Sequence, residues 1–272
     1  MNNEKTYDLL LKGGHVIDPA NGIDGRMDVG IAGKQIAMVA PSLPTGEATQ
    51  VVDVSGLYVT PGILDIHTHV YPFRPSPKSY VESVNADAHL FSSGVTTTVD
   101  AGTAGWKHFL DFKENFIDRA KVRILAFVNI ACAGMVDAES EQTLSDLDPR
   151  MAASLAQAFP DLVVGIKTAH YWTSKPWDDE HPAWASVERA VEAAELCGKR
   201  VMVDFWPRPP ERPYPDLILK KLRPGDIHTH VFAQQFPILS AEGKVSDHMT
   251  EGKVSDPMTE GKVSDFMFEA RE

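Results

Sequence analysis

Gly62-Ile63-Leu64-Asp65-Ile66-His67-Thr68-His69-Val70 is an apolar run that ends in two histidines spaced two apart. Side chains on a β-strand alternate between faces, so His67 and His69 point the same way and can present two imidazoles to one metal ion. A core strand with hydrogen-bonded histidines fits the bare pattern equally well. Its setting favours the metal reading: a Pro61-Gly62 turn precedes the run, and further ligand-type residues end similar strands downstream.

Upstream, residues 7–60 read as short strands parted by turn residues. These are Tyr7 to Leu11, a Gly13-Gly14 break, His15 to Ile17, Met27 to Ile31, Gln35 to Ala40 and Gln50 to Val54. That rhythm predicts a small β-sandwich-like domain over 1–60, with His15 and Asp18 as surface or turn residues. From Pro61 strands alternate with helix-length periodic segments, which is the pattern of βα units on a parallel sheet. The predicted strands are Gly94 to Gly102, Val122 to Ala131, Leu162 to His170, Arg200 to Trp206 and Gly225 to Phe232. Helices are predicted over Lys78 to Ser93 (Tyr80, Val84, Ala88 and Phe91 as its stripe), from Trp106 to Ala120, Arg150 to Phe159, His181 to Gly198 and Leu217 to Leu222.

The fourth strand of this series ends in Gly165-Ile166-Lys167-Thr168-Ala169-His170. A lysine inside an apolar strand must be paired, neutralised or modified, unless it snorkels to the strand end. Asp204 lies within Val201-Met202-Val203-Asp204-Phe205 of the fifth strand, where it either faces a metal or bonds to neighbouring strands. The sixth repeats the spelling Asp-Ile-His-Thr-His-Val, with His230 nearer the C-terminal end than His228 and therefore the better ligand. Trp106, Trp172 and Trp206 follow strands and suit either a pocket mouth or loop packing. Beyond this, Gly243 to Glu251, Gly252 to Glu260 and Gly261 to Glu269 are three copies of Gly-Lys-Val-Ser-Asp-x-Met-x-Glu, read as an acidic tail over 241–272. His248 occurs in one copy and is not expected to be a ligand.

The run from Val59 to His69 resembles the first-strand signature of the amidohydrolase superfamily. The resemblance covers most of residues 6–239 and lies nearest the dihydroorotase-like and amidohydrolase/deacetylase branch. It implies an α/β fold, a TIM-type (β/α)8 barrel over 61–240 that is incomplete, with about six strands present. It also implies a metal-dependent hydrolase acting on an amide, a cyclic amide or an ester. The implied metal ligands are His67, His69, Lys167 (carboxylated by CO2 and bridging), Asp204 and His230. Relatives usually carry histidine at the Asp204 position; a harder carboxylate shifts metal preference, so two zinc ions are expected with manganese as the alternative. A mononuclear deaminase-like barrel fits Lys167 less well. The family's strand-eight aspartate, its general base, has no counterpart here: Asp247 and Asp265 lack strand context, and no catalytic residue is assigned. The rival expectation is therefore a non-catalytic remnant that keeps the fold and some metal binding. Arg74, after the first strand, and His170 are the expected substrate-binding residues.

Composition sets outer bounds. A net charge of -12 argues against nucleic acid or an anionic membrane as partner. With 43% hydrophobic and 24% charged residues, the chain has core enough to fold. Cys132 and Cys197 alone make no disulfide framework, and no apolar run suits a signal peptide or membrane span, so a cytoplasmic protein is expected. Its expected partner is a small-molecule substrate, and a homo-oligomer is compatible with the open barrel edges.

Overall fold

The computed structural model describes residues 5–72, 83–136, 140–171 and 175–231, and the backbone of 239–240 and 262–263. The chain divides into two compact units, Met1–Ile63 and Leu64–Glu272.

In the first unit β1 (Tyr7–Asp18), β2 (Ile23–Ala32), β3 (Gln35–Ala40), β4 (Ala48–Asp53) and β5 (Tyr58–Val59) form one five-stranded sheet. Its order is β3-β2-β1-β4, with β5 pairing the second half of β1 beyond β4. The expected break at Gly13-Gly14 is instead a register shift inside one long strand. Glycine is needed there because a Cβ on Gly14 would lie 2.6 Å from Val59 Cγ2. His15 and Asp18 are surface residues as expected: His15 Nε2 meets the exposed Asp24 carboxylate at 2.6 Å, and Asp18 caps the turn to Asn21.

The second unit carries a six-stranded sheet in sequence order: β6 (Ile63–Thr68), β7 (Val95–Gly105), β8 (Arg123–Asn129), β9 (Val163–Thr168), β10 (Arg200–Val203) and β11 (Ile227–His228). It is a curled parallel sheet, an incomplete TIM barrel, as the sequence led us to expect. Alternation divides its side chains. Ile124, Ala126 and Val128 of β8 join the main core, while Phe127 points the other way and packs with Val99, Ala101 and Met202. Asp204 follows on the Met202 face, and Lys167 lies opposite Ile166, which is in the main core. The edge strand β6 leaves Ile63, Leu64 and Ile66 about half exposed.

Helices α1 (Ala86–Leu90), α2 (Phe109–Asn115), α3 (Pro149–Ala158), α4 (Ala185–Cys197) and α5 (Tyr214–Asp216, continued by a π turn over Leu217–Lys221) connect the strands. Asp148 caps α3 by accepting from the backbone of Arg150 and Met151, with Pro149 in the first turn. In α4, Val187, Ala190 and Ala194 are buried, and Gly198 at φ 68° ends the helix. The stripe expected for the first helix is corrected. Ala86 and Leu90 are its buried residues, Val84 and Phe91 are exposed, and Tyr80 lies outside the described residues.

Leu239–Ser240 and Lys262–Val263 pair as a separate antiparallel bridge. The rest of the nine-residue repeats, with His248, Asp247 and Asp265, lies outside the described residues. No helix among the described residues is long and apolar enough to cross a membrane.

Candidate metal centre

Parallel strands deliver their C-terminal ends to one side of the sheet, and the ligand-type residues come from those ends. His67 is in β6 and His69 just past it; Lys167 is in β9; Asp204 follows β10 directly; His230 comes two residues after β11. The His67 ring lies 5.6 Å from that of His69 and 4.8 Å from that of His230, centroid to centroid. His230 Nδ1 stands 3.0 Å from Asp204 Oδ1. The structure thus brings His67, His69, Asp204 and His230 together around the buried Lys167. Among the described residues, however, no three His, Cys, Asp or Glu side chains are grouped closely enough to hold a metal ion as they stand.

Burial dominates the electrostatics. Lys167 is 1% exposed, and loss of hydration pulls its pKa down to about 8, against the opposing pull of Asp204, Glu141 and Asp100. The His67 pKa falls to about 3, mainly through burial and then through Lys167, His230 and His69. His69 is also lowered by burial, with Asp100 opposing. Both imidazoles are therefore neutral near physiological pH, the form that has a lone pair to donate. Burial pushes the Asp204 carboxyl upward, but the His230 hydrogen bond and Lys167 outweigh it and hold the group below its ordinary value.

Each imidazole of the β6 pair has its Nδ1 occupied. His67 Nδ1 lies 2.7 Å from Thr229 Oγ1, and His69 Nδ1 lies 2.7 Å from Thr103 Oγ1. Such outer contacts fix ring orientation and leave each Nε2 to the site. Lys167 is further confined by Gly102, where a Cβ would sit 2.4 Å from Lys167 Cβ and Cγ.

The expected sixth strand, Gly225 to Phe232, is corrected to Ile227–His228. His230 has φ 60°, so strand alternation no longer governs it, and it does not share a strand face with His228. His228 bonds through Nδ1 to Tyr214 Oη at 3.1 Å, and burial lowers its pKa to about 4. The fourth strand likewise ends at Thr168, short of His170, which has φ 34°. His170 Nδ1 lies 2.7 Å from the buried Glu141 Oε2, and Gln142 Nε2 donates to the His170 carbonyl at 2.6 Å. Arg74 and Trp172 lie outside the described residues. Trp106 packs against the main core, and Trp206 is 38% exposed.

Asp100, Thr103, Glu141 and Thr229 were missed in the sequence. Asp100 had a readable signal, since it follows the β-branched run Val95 to Val99 of a parallel strand just as Asp204 follows Val201 to Val203. Glu141 sits in a loop without periodicity and had none.

No family profile matches the chain. It is 30% identical over 227 residues to a deacetylase of Enterococcus faecalis (strain ATCC 700802 / V583), covering 83% of this chain and 57% of that protein. A dihydroorotase of Streptococcus thermophilus (strain CNRZ 1066) is 40% identical over 91 residues, 34% of this chain and 21% of the relative. The solved structure of an adenine deaminase superposes with a TM-score of 0.71 at 26% identity, covering 97% of this chain and 63% of that one. The chain thus spans little more than half the length of the deacetylase it matches. Shared sequence along most of the chain and a shared curled sheet place it among proteins of one kind: the chain belongs to the amidohydrolase superfamily.

Proposed function

We propose that this chain carries the site of a divalent-metal hydrolase that cleaves a C–N bond other than a peptide bond, in an amide or cyclic amide, with esters as secondary substrates. The observation that carries the reading is the meeting of His67, His69, Asp204 and His230 around a buried lysine at the ends of successive parallel strands. Homologues named deacetylase and dihydroorotase support the same chemistry.

The donor set fits two ions in kind: neutral imidazoles, a carboxylate and a lysine that CO2 can convert to an anion. Asp204 and His230 are bonded to each other, so these two donors must part to take an ion between them. Zinc suits the set, and the harder Asp204 carboxylate makes manganese the alternative. When bound, such ions lower the pKa of water and polarise a carbonyl oxygen. The chain's own residues do the rest. His67 and His69 offer lone pairs because burial keeps them neutral. Lys167, with its pKa near 8, has an appreciable neutral fraction whose Nζ can attack CO2: an N–C bond forms, the amine proton leaves, and an anionic carbamate replaces a buried cation. His170, steadied by Glu141, is the proposed substrate contact on this side of the sheet.

Metal content measured by inductively coupled plasma mass spectrometry tests this, on protein prepared with bicarbonate and zinc or manganese. About two equivalents are expected, falling to one or fewer in Lys167→Ala. Metal-free wild-type protein, or a control that binds as much as wild type, defeats the two-ion reading. A second reading, metal binding without turnover, is favoured by one observation: among the described residues no strand of the six-stranded sheet follows β11 to bring the family's strand-eight aspartate. A screen of amide and ester substrates on the metal-loaded chain separates the two.

A further inference from the structure

The Thr103 hydroxyl has one proton to give and two neighbours. Its Oγ1 lies 3.0 Å from Asp100 Oδ2 and 2.7 Å from His69 Nδ1. Asp100 is fully buried, and its carboxylate also accepts from the backbone N–H of Val70 at 2.9 Å and of Thr103 at 2.7 Å. A carboxylate only accepts, so the hydroxyl proton is committed to Asp100. The remaining lone pair of Thr103 Oγ1 then faces His69 Nδ1, which must supply the hydrogen. The opposite tautomer would set two lone pairs against each other at that distance. A neutral imidazole protonated on Nδ1 has its bare lone pair on Nε2.

We infer that Asp100 and Thr103 are positioning residues that lock His69 into the Nδ1–H tautomer, with the Nε2 lone pair held ready for a metal ion. The metal half of this inference rests on the function proposed above; the tautomer does not. One carboxylate performs both tasks. Through Oδ1 it spans the irregular stretch Asp100-Ala101-Gly102-Thr103 of β7, and through Oδ2 it holds the backbone just after His69 and the hydroxyl beside the ring. Gly102, at φ 85°, lets the strand fold back enough for the hydroxyl to meet the carboxylate. In the contact of His67 with Thr229 either atom can donate, so that pair fixes no tautomer.

Long-range ¹⁵N–¹H correlation spectra of the metal-free full chain test the lock, with His69 identified by the signal lost in His69→Gln. Wild type and Thr103→Ser are expected to show a protonated Nδ1 and a bare Nε2. Thr103→Val keeps the shape but loses the acceptor, and its His69 should shift toward the Nε2–H form. Zinc affinity by chelator competition should fall about 10- to 100-fold in Thr103→Val and recover to within a few-fold in Thr103→Ser. An Nε2–H His69 in the wild type overturns the inference, and this spectrum decides even where Thr103→Val does not fold. So does a Thr103→Val spectrum and affinity equal to wild type. Wild type that shows the Nδ1–H form yet binds no zinc defeats the metal reading and the ligand role of His69, while the lock stands.

Discussion

Gly102→Ala is expected to lower the unfolding free energy by about 2–5 kcal/mol and, on the function proposed above, to cost most of the zinc binding. Two costs add. Gly102 has φ 85°, a conformation that costs an L-residue about 1–2 kcal/mol. The new methyl would also lie 2.4 Å from Lys167 Cβ and Cγ, and overpacking of this kind costs about 1–3 kcal/mol. Lys167 stands between the main core behind Ile166 and the carboxylates around its amine, so it cannot step aside without leaving them. Gly198→Ala is the control: its φ is 68° but nothing lies within 4 Å of the added Cβ, so it carries only the backbone cost. Urea unfolding of the two variants gives the difference. Equal losses would mean that Lys167 does not press on Gly102.

The parts of the site that were legible in the sequence are those governed by strand geometry. His67 and His69 share a face because they are two apart, and Lys167 and Asp204 stood out as charges closing apolar runs. What fixes them in place was not legible. The Thr229 hydroxyl reaches His67 across 162 residues of sequence, and Glu141 reaches His170 from a loop that has no period to read. Local periodicity also misled where elements are short. Helix α1 has only the residues Ala86–Leu90, so it buries two side chains rather than a stripe, and Val84 and Phe91 fall beyond its ends. At Gly13-Gly14 the turn chemistry was real but lost to tertiary packing, since the strand continues through a bulge under Val59. His230 was identified by its distance along the strand. It occupies the site by leaving the strand altogether, at a left-handed φ that a histidine adopts only when its surroundings hold it there.

In the first unit the largest single loss is expected at Asp28, a carboxylate of β2 that is 2% exposed and stands opposite Ala40 of β3. It accepts from the backbone N–H of Gly13 at 2.8 Å and of Leu43 at 2.8 Å, and pairs with Lys12 Nζ at 2.5 Å. Asp28→Ala leaves two backbone donors without an acceptor, each costing about 1–3 kcal/mol where buried. Lys12 adds less, because its side chain is about one-third exposed and regains water. A loss of about 3 kcal/mol follows, read as an earlier urea transition of the first unit. The same contacts set a pH dependence. Burial raises the Asp28 carboxyl, but Lys12 and the two backbone donors outweigh it, so its folded pKa lies below the ordinary value of 3.8. A depressed folded pKa means that the unfolded chain takes up the proton first. The stabilisation is therefore complete above about pH 4 and fades as pH falls through the folded value. Asp28→Asn should flatten that acid limb while leaving the neutral-to-alkaline slope as it was. An acid limb unchanged in the variant would assign the loss to other carboxylates and remove Asp28 from the account.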